Sequence, residues 1–122
     1  MKTLMKHIPI FLLFFFVLIS CNPTVDRGKE GEYFKEENGI TYYKGSPFTG
    51  TTLIYHENGQ LWSKKSYKEG KLDGVWEWYY ENGQLWKKGS YKNGKLDGDW
   101  KNYNSFGQLE RKATYKDGVE IE

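Results

Sequence analysis

The chain predicts an all-β fold: an elongated single-layer antiparallel meander of β-hairpin repeats, preceded by a signal peptide and a flexible tether. Three observations point there. Tyr55-His56-Glu57-Asn58-Gly59-Gln60-Leu61-Trp62 recurs as Tyr79-Tyr80-Glu81-Asn82-Gly83-Gln84-Leu85-Trp86, and in weaker form as Tyr103-Asn104-Ser105-Phe106-Gly107-Gln108-Leu109-Glu110, a spacing of 24. Self-similarity at such a period marks a repeat array. Every period carries two Gly-containing turn signals, and the short segments between them are rich in the Trp, Tyr, Val and Thr that favour a pleated surface. No stretch after Cys21 has the apolar spacing and caps of a helix.

Taken in order, the first element is an export signal, residues 1–20. Lys2 and Lys6 precede an unbroken apolar run from Ile10 to Ile19, the layout of a signal peptide. A permanent span needs about 20 apolar residues to cross roughly 30 Å of hydrocarbon, and this run stops short of that. Leu18-Ile19-Ser20-Cys21 resembles the lipobox of bacterial lipoproteins. The resemblance makes Cys21, the only cysteine in the chain, the lipidated residue and the mature N-terminus. Its acyl chains would hold the protein in a membrane, each buried methylene contributing about 0.8 kcal/mol. No other thiol remains, so the folded part must be stable without a disulfide.

Removal of the signal changes the charge argument. The whole chain is formally +2, but the excess lies in Lys2 and Lys6, and the mature part carries equal numbers of basic and acidic residues. Signs alternate along the repeats without a long block of one kind, which excludes a nucleic-acid footprint. Residues 21–32 are read as lipidated terminus and tether. The run from Asn22 to Glu32 has no aromatic residue, and a flexible run of that length would reach roughly 18 Å.

The repeat domain occupies 33–122. Tyr67, Tyr91 and Tyr115, and Gly70, Gly94 and Gly118, keep the period of 24, and Lys71-Leu72-Asp73-Gly74 returns as Lys95-Leu96-Asp97-Gly98. A degenerate earlier copy shows in Tyr43, Phe48, Gly50 and Thr52. Glu-Asn-Gly at 57–59 and 81–83 has the chemistry of a tight type I′ hairpin, where both Asn and Gly take positive φ. The second signal, 69–74 and 93–98, reads as a longer loop. Strands are therefore expected near 40–44, 51–56, 60–68, 75–80, 84–92, 99–103 and 108–116, in one meander with local contacts.

A single sheet has no second layer, so stacked aromatic side chains must supply much of the packing. All five Trp and all ten Tyr lie in the mature part. Aromatic pairs contribute about 0.5–1.5 kcal/mol beyond area burial. Leu61, Leu85 and Leu109 are six residues from Tyr67, Tyr91 and Tyr115 and are expected on the same face. Trp76 and Tyr79, like Trp100 and Tyr103, are three apart and point to opposite faces unless a bulge intervenes.

Gly74-Val75-Trp76-Glu77-Trp78-Tyr79-Tyr80-Glu81-Asn82-Gly83-Gln84-Leu85, followed by Tyr91-Lys92-Asn93-Gly94-Lys95-Leu96-Asp97-Gly98, resembles the variant MORN repeats (membrane occupation and recognition nexus) of bacterial proteins. The resemblance covers about Tyr42 to Gly118. It implies elongated antiparallel sheets of successive hairpins, and many bacterial proteins of this kind are labelled antitoxins. The last copy departs from the pattern. Glu110 replaces the Trp of 62 and 86, and Val119 stands where the other copies continue, which suits a terminal cap.

Catalysis needs convergent acid, base or nucleophile groups, and the mature chain has one histidine, His56, beside a turn. Structural zinc wants four Cys or His ligands. Asp73 and Asp97 each supply one carboxylate per loop, too few oxygens for calcium. No enzyme activity, cofactor or metal is expected. The candidate binding face comprises Trp62, Trp86, Lys64, Lys88, Trp76 and Trp100, since exposed aromatics flanked by Lys suit protein or glycan binding; packing of one copy on the next would use the same residues. The leading expectation is a lipid-anchored, non-catalytic interaction or scaffold module on the bacterial envelope, at the outer membrane or cell surface. Its partners are the membrane, through Cys21, and another protein or a cell-wall component. The second is an antitoxin or immunity-type protein whose partner is a toxin, and the third is binding to anionic lipid.

Overall fold

The computed structural model describes residues 22–122. The signal segment 1–20 and Cys21 lie outside the described residues. The strands are β1 (Thr24–Asp26), β2 (Phe34–Glu37), β3 (Ile40–Tyr43), β4 (Ser46–Pro47), β5 (Gly50–Tyr55), β6 (Leu61–Lys68), β7 (Lys71–Tyr79), β8 (Leu85–Lys92), β9 (Lys95–Leu96), β10 (Gly98–Tyr103), β11 (Leu109–Lys116) and β12 (Val119–Glu120). The main sheet runs β1-β5-β6-β7-β8-β10-β11-β12, with β9 hydrogen-bonded to β8. From β5 onward every pairing is antiparallel and joins sequence neighbours, except that β8 pairs with β10 past the two-residue β9. This is the expected all-β meander of hairpin repeats.

The N-terminal part of the described chain departs from the expectation in two places. The degenerate first copy joins the meander only through β5, which holds its Gly50 and Thr52; the strand expected near 40–44 does not, because β2, β3 and β4 form a separate three-stranded sheet. Phe34 and Tyr43 of that sheet pack with Val25, Phe48, Tyr67 and Leu72 into the main hydrophobic cluster. The first strands of the repeat array thus gain a second layer on one face. The segment expected as a flexible tether is also folded from Thr24 on. Thr24–Asp26 pairs in parallel with Thr51–Leu53, and Val25 is only 4% exposed. A lone valine in a polar run gives no periodic signal. The physical reason it orders is the open edge of β5, whose unpaired backbone groups β1 covers.

The two turn signals exchange roles. Positive φ at both central residues, the requirement of a two-residue I′ hairpin, occurs at Glu69-Gly70, Asn93-Gly94 and Asp117-Gly118. There β7 begins at Lys71, directly after the turn, rather than near 75. In the Glu-Asn-Gly loops only Gly59 and Gly83 have positive φ. These are wider loops, closed by His56 N–H to the Gln60 carbonyl and Tyr80 N–H to the Gln84 carbonyl.

Asn58 and Asn82 serve two copies at once. Their Oδ1 atoms accept from the Gln60 and Gln84 N–H groups, while their Nδ2 atoms donate to the carbonyls of Glu81 and Ser105 in the following copy, each at 2.8 Å. On the opposite edge the N–H groups of Gly70, Gly94 and Gly118 donate to the carbonyls of Phe48, Leu72 and Leu96. Copies are therefore stitched along both edges of the sheet. The stitching ends at the last copy, where Phe106, 85% exposed, replaces the linking Asn. Asn104 there bonds only within its own loop, to Gln108 and Phe106. That is how a terminal cap should look.

Val25→Ala is expected to lower stability by about 1–3 kcal/mol, because a buried side chain is cut back in a packed cluster. The urea midpoint checks it: a valine in a solvated tether would leave the midpoint where it was.

Candidate interaction faces

One irregularity per hairpin decides which side chains meet. Tyr55 pairs with Leu61 and Ile54 with Ser63, leaving Trp62 as an extra residue; Trp86 and Glu110 hold the same place in the next two hairpins. A bulge of this kind re-aims side chains. Because it falls between Leu61 and Tyr67, those two residues point to opposite faces. The expectation that the leucines and tyrosines share one face is corrected for that reason.

The bulge swings Trp62 and Trp86 onto the face of Trp76, Trp78 and Trp100. Trp78 lies edge-on to Trp62 at 5.4 Å, to Trp76 at 5.6 Å and to Trp86 at 6.1 Å. His56 stacks at a tilt on Trp62 and Tyr80 on Trp86, so one histidine and one tyrosine fill equivalent places in successive copies. Both also reach across to the next copy, His56 Nε2 donating to the Tyr79 carbonyl and Tyr80 Oη to the Tyr103 carbonyl. The structural role expected of His56 accounts for its contacts.

Trp76 and Trp100 lean together at 5.2 Å over Gly89. A Cβ at Gly89 would overlap the Trp100 ring. Trp76 also meets Tyr91 edge-on at 5.5 Å. Lys65 Nζ sits 5.7 Å from the Trp76 ring centre and 5.3 Å from that of Trp78, and Lys87 Nζ is 4.2 Å from Trp86. Such cation–π contacts are worth about 0.5–2 kcal/mol according to burial. Burial first, and the Arg27 charge second, hold the Lys65 amine below the usual lysine range.

Of the six residues expected to form one binding face, the structure brings together four, Trp62, Trp76, Trp86 and Trp100. Lys64 and Lys88 are on the other side. Lys64 is opposite Glu77 and Glu77 opposite Lys88, and Glu77 alternates with Trp76 and Trp78 along β7. The row continues through Lys101 to Lys112. Sequence reasoning missed Trp78, the centre of the aromatic array, because Asn102 takes its place 24 residues on and no periodicity marks it. It also missed Lys65 and Lys87, whose two-residue offset from the period of 24 hides that both turn toward the tryptophans.

On the lysine face Tyr79 donates to the Glu77 carboxylate. Partial burial, reinforced by that negative partner, pushes the Tyr79 phenol up to about 12. The small sheet of the first copy packs against Phe48 and Tyr67, so the shared tryptophan array beyond it remains a surface, with Trp62 38% exposed. A concavity bounded by His56, Trp62, Tyr80, Asn82 and Trp86 opens between the two stacked ring pairs.

Repetition of one hairpin, stitched edge to edge and carrying aromatic residues at fixed places, defines a β-hairpin repeat protein. The chain matches the MORN repeat variant family over residues 48–69, 72–93 and 96–117, and it belongs to that family. The matched units begin 24 residues apart, the period that the structure builds. No curated protein and no solved structure matches the chain.

Gly89→Ala is expected to cost about 1–3 kcal/mol, because an added methyl overpacks the Trp76–Trp100 pair. Chemical unfolding checks the loss, and near-ultraviolet circular dichroism should weaken with it. A second expectation concerns pH. A phenol whose pKa is raised in the folded state favours folding fully below pH about 10, and loses that contribution as pH climbs from about 10 to 12. Burial also raises the Tyr67 and Tyr91 phenols, so absorbance titration should show a late-ionising set of tyrosines that loses one member in Tyr79→Phe and has one member shifted earlier in Glu77→Gln.

Proposed function

We propose that this chain is a lipid-anchored, non-catalytic interaction module that binds a protein partner on its tryptophan face. The observation that carries the reading is the contiguity of Trp62, Trp78, Trp86, Trp76 and Trp100 beyond the part of the sheet that the first copy covers. Large aromatic side chains placed on a rigid sheet lose little conformational freedom on binding, which is why Trp and Tyr dominate the energetics of interfaces. Lys65 and Lys87 add charge directly over the rings. The lysine face carries no tryptophan among the described residues. Anchoring rests on Cys21 and the lipobox resemblance, and a short reach from the bilayer limits the partner to molecules near a membrane.

Affinity capture with the mature chain from solubilised membranes tests the face. Trp62→Ala with Trp86→Ala should lose the captured protein, while Lys64→Ala with Lys88→Ala should keep it, circular dichroism showing all variants folded. Retention by the tryptophan variant and loss by the lysine variant would move the site to the opposite face. A captured protein whose toxicity the chain blocks would narrow the reading to an immunity function. Lipidation is tested separately: Cys21→Ala should accumulate as precursor and incorporate no labelled fatty acid, and labelling that persists would remove the anchor.

A further inference from the structure

A cleft opens where the small sheet of β2, β3 and β4 steps down to the main sheet. Thr41 of β3 donates its N–H to the Gly70 carbonyl at 2.8 Å, and Arg27, directly after β1, donates its own to the Leu53 carbonyl at 2.8 Å. The small sheet and the Arg27 backbone are each tied to the main sheet in this way. The cleft is lined by Lys65, Tyr67 and Leu72 of the main sheet, together with Arg27 and Glu36. Lys65 is opposite Trp76 on β7, and its amine lies over the Trp76 and Trp78 rings, so the cleft runs directly into the tryptophan array.

Among the described residues Glu36 is the only acid lining the cleft, and it is already engaged, paired with Arg27 at 3.0 Å. Arg27 also lies over the Phe34 ring at 4.9 Å. Lys65 is half-buried, yet among the described residues no acid is within ion-pair distance of its amine. Burial and then the Arg27 charge lower its pKa, as happens to a cation held without a counter-charge. The repeat does not require a lysine there. Gly89 and Ala113 hold the same place in the next two copies, Gly89 beneath the Trp100 ring and Ala113 only 1% exposed. A partly desolvated charge with no partner is destabilising, and a break of this kind with the local pattern is the mark of a functional position. With Lys71 and Lys95 at the same cleft, four basic residues face the one acid.

We propose that this cleft takes an acidic residue of the protein partner, its carboxylate seated between the Lys65 amine and the Arg27 guanidinium and its neighbours lying on Trp76 and Trp78. The proposal rests on the tryptophan-face reading and names the partner's chemistry: an extended segment with an Asp or Glu beside apolar side chains. Charge makes one half of the match. A carboxylate brings the counter-charge that Lys65 lacks, and the planar fork of Arg27 suits carboxylate geometry. Shape makes the other half. The small sheet stands one layer above the main sheet, roughly 10 Å, so a single chain segment reaches the Lys65 amine and a planar surface does not. Because Gly89 and Ala113 replace the lysine in the later copies, the segment docks at one register along the array.

Random peptides displayed on phage and selected on the mature chain test it. The recovered peptides should share an Asp or Glu next to apolar residues. A synthetic peptide of that sequence should bind roughly tenfold or more weakly to Lys65→Met, and so should the peptide with its acid changed to the amide on the unaltered chain, because truncating one partner of a buried charge pair costs at least that much. Lys64→Met, which removes the adjacent lysine on the other face, should bind as before. Lys65→Met should unfold at the parent's urea midpoint or above it, which separates lost binding from lost fold. Peptides with no acid in common, peptides that Lys65→Met holds equally well, no recovered peptides at all, or a midpoint that falls would each overturn the proposal. Lys65-dependent binding of phosphatidylglycerol vesicles in place of peptides would do the same. Failure of the tryptophan reading is seen separately, as peptide binding and membrane capture that survive Trp62→Ala with Trp86→Ala.

Discussion

A sheet one layer thick leaves each hairpin with backbone carbonyls and ring faces that only the next hairpin can cover. In this chain the cover is a side-chain amide. Asn58 and Asn82 close their own loops with one atom and hold the following copy with another. A net gain of about 0.5–1.5 kcal/mol per such bond is modest. Repeated with the glycine N–H bonds on the other edge, it fixes the register of every copy, and that register sets the alternation that puts five tryptophans on one side. The array is therefore a consequence of the stitching, and its ring contacts strengthen the same interfaces in return.

The ends of the sheet follow from the same constraint. At the start, β1 covers the edge strand and the first copy folds over Phe48 and Tyr67 as a small second layer. At the finish, the linking asparagine is gone, Asn104 turns inward and β12 pairs with β11. What lies between is a sheet with two unlike faces, tryptophans on one and a lysine row on the other.

Much of this was legible in the sequence because repetition multiplies weak signals. Three copies of the same tyrosines and glycines establish the period, the hairpins and the fold class, and Glu110 marks the cap. What was not legible depends on single-residue geometry. Asn-Gly chemistry fits both a tight turn and a wider loop, and the backbone chose the tight form at Glu69-Gly70 and Asn93-Gly94 instead. A bulge at Trp62 inverts every face assignment beyond it, yet nothing in Gln-Leu-Trp announces one. Val25 offered one apolar residue where a strand signal needs several. The division of Lys64 from Lys65 between opposite faces follows from alternation once the strand is placed, and from nothing before.

Native-state hydrogen exchange on Asn82→Ala tests most directly whether the copies hold one another. If the side-chain link couples the second copy to the third, protection should fall together in β7, β8, β10 and β11, on both sides of the lost bond. Loss confined to the 80–84 loop, with the strands of the third copy protected as before, would contradict the account.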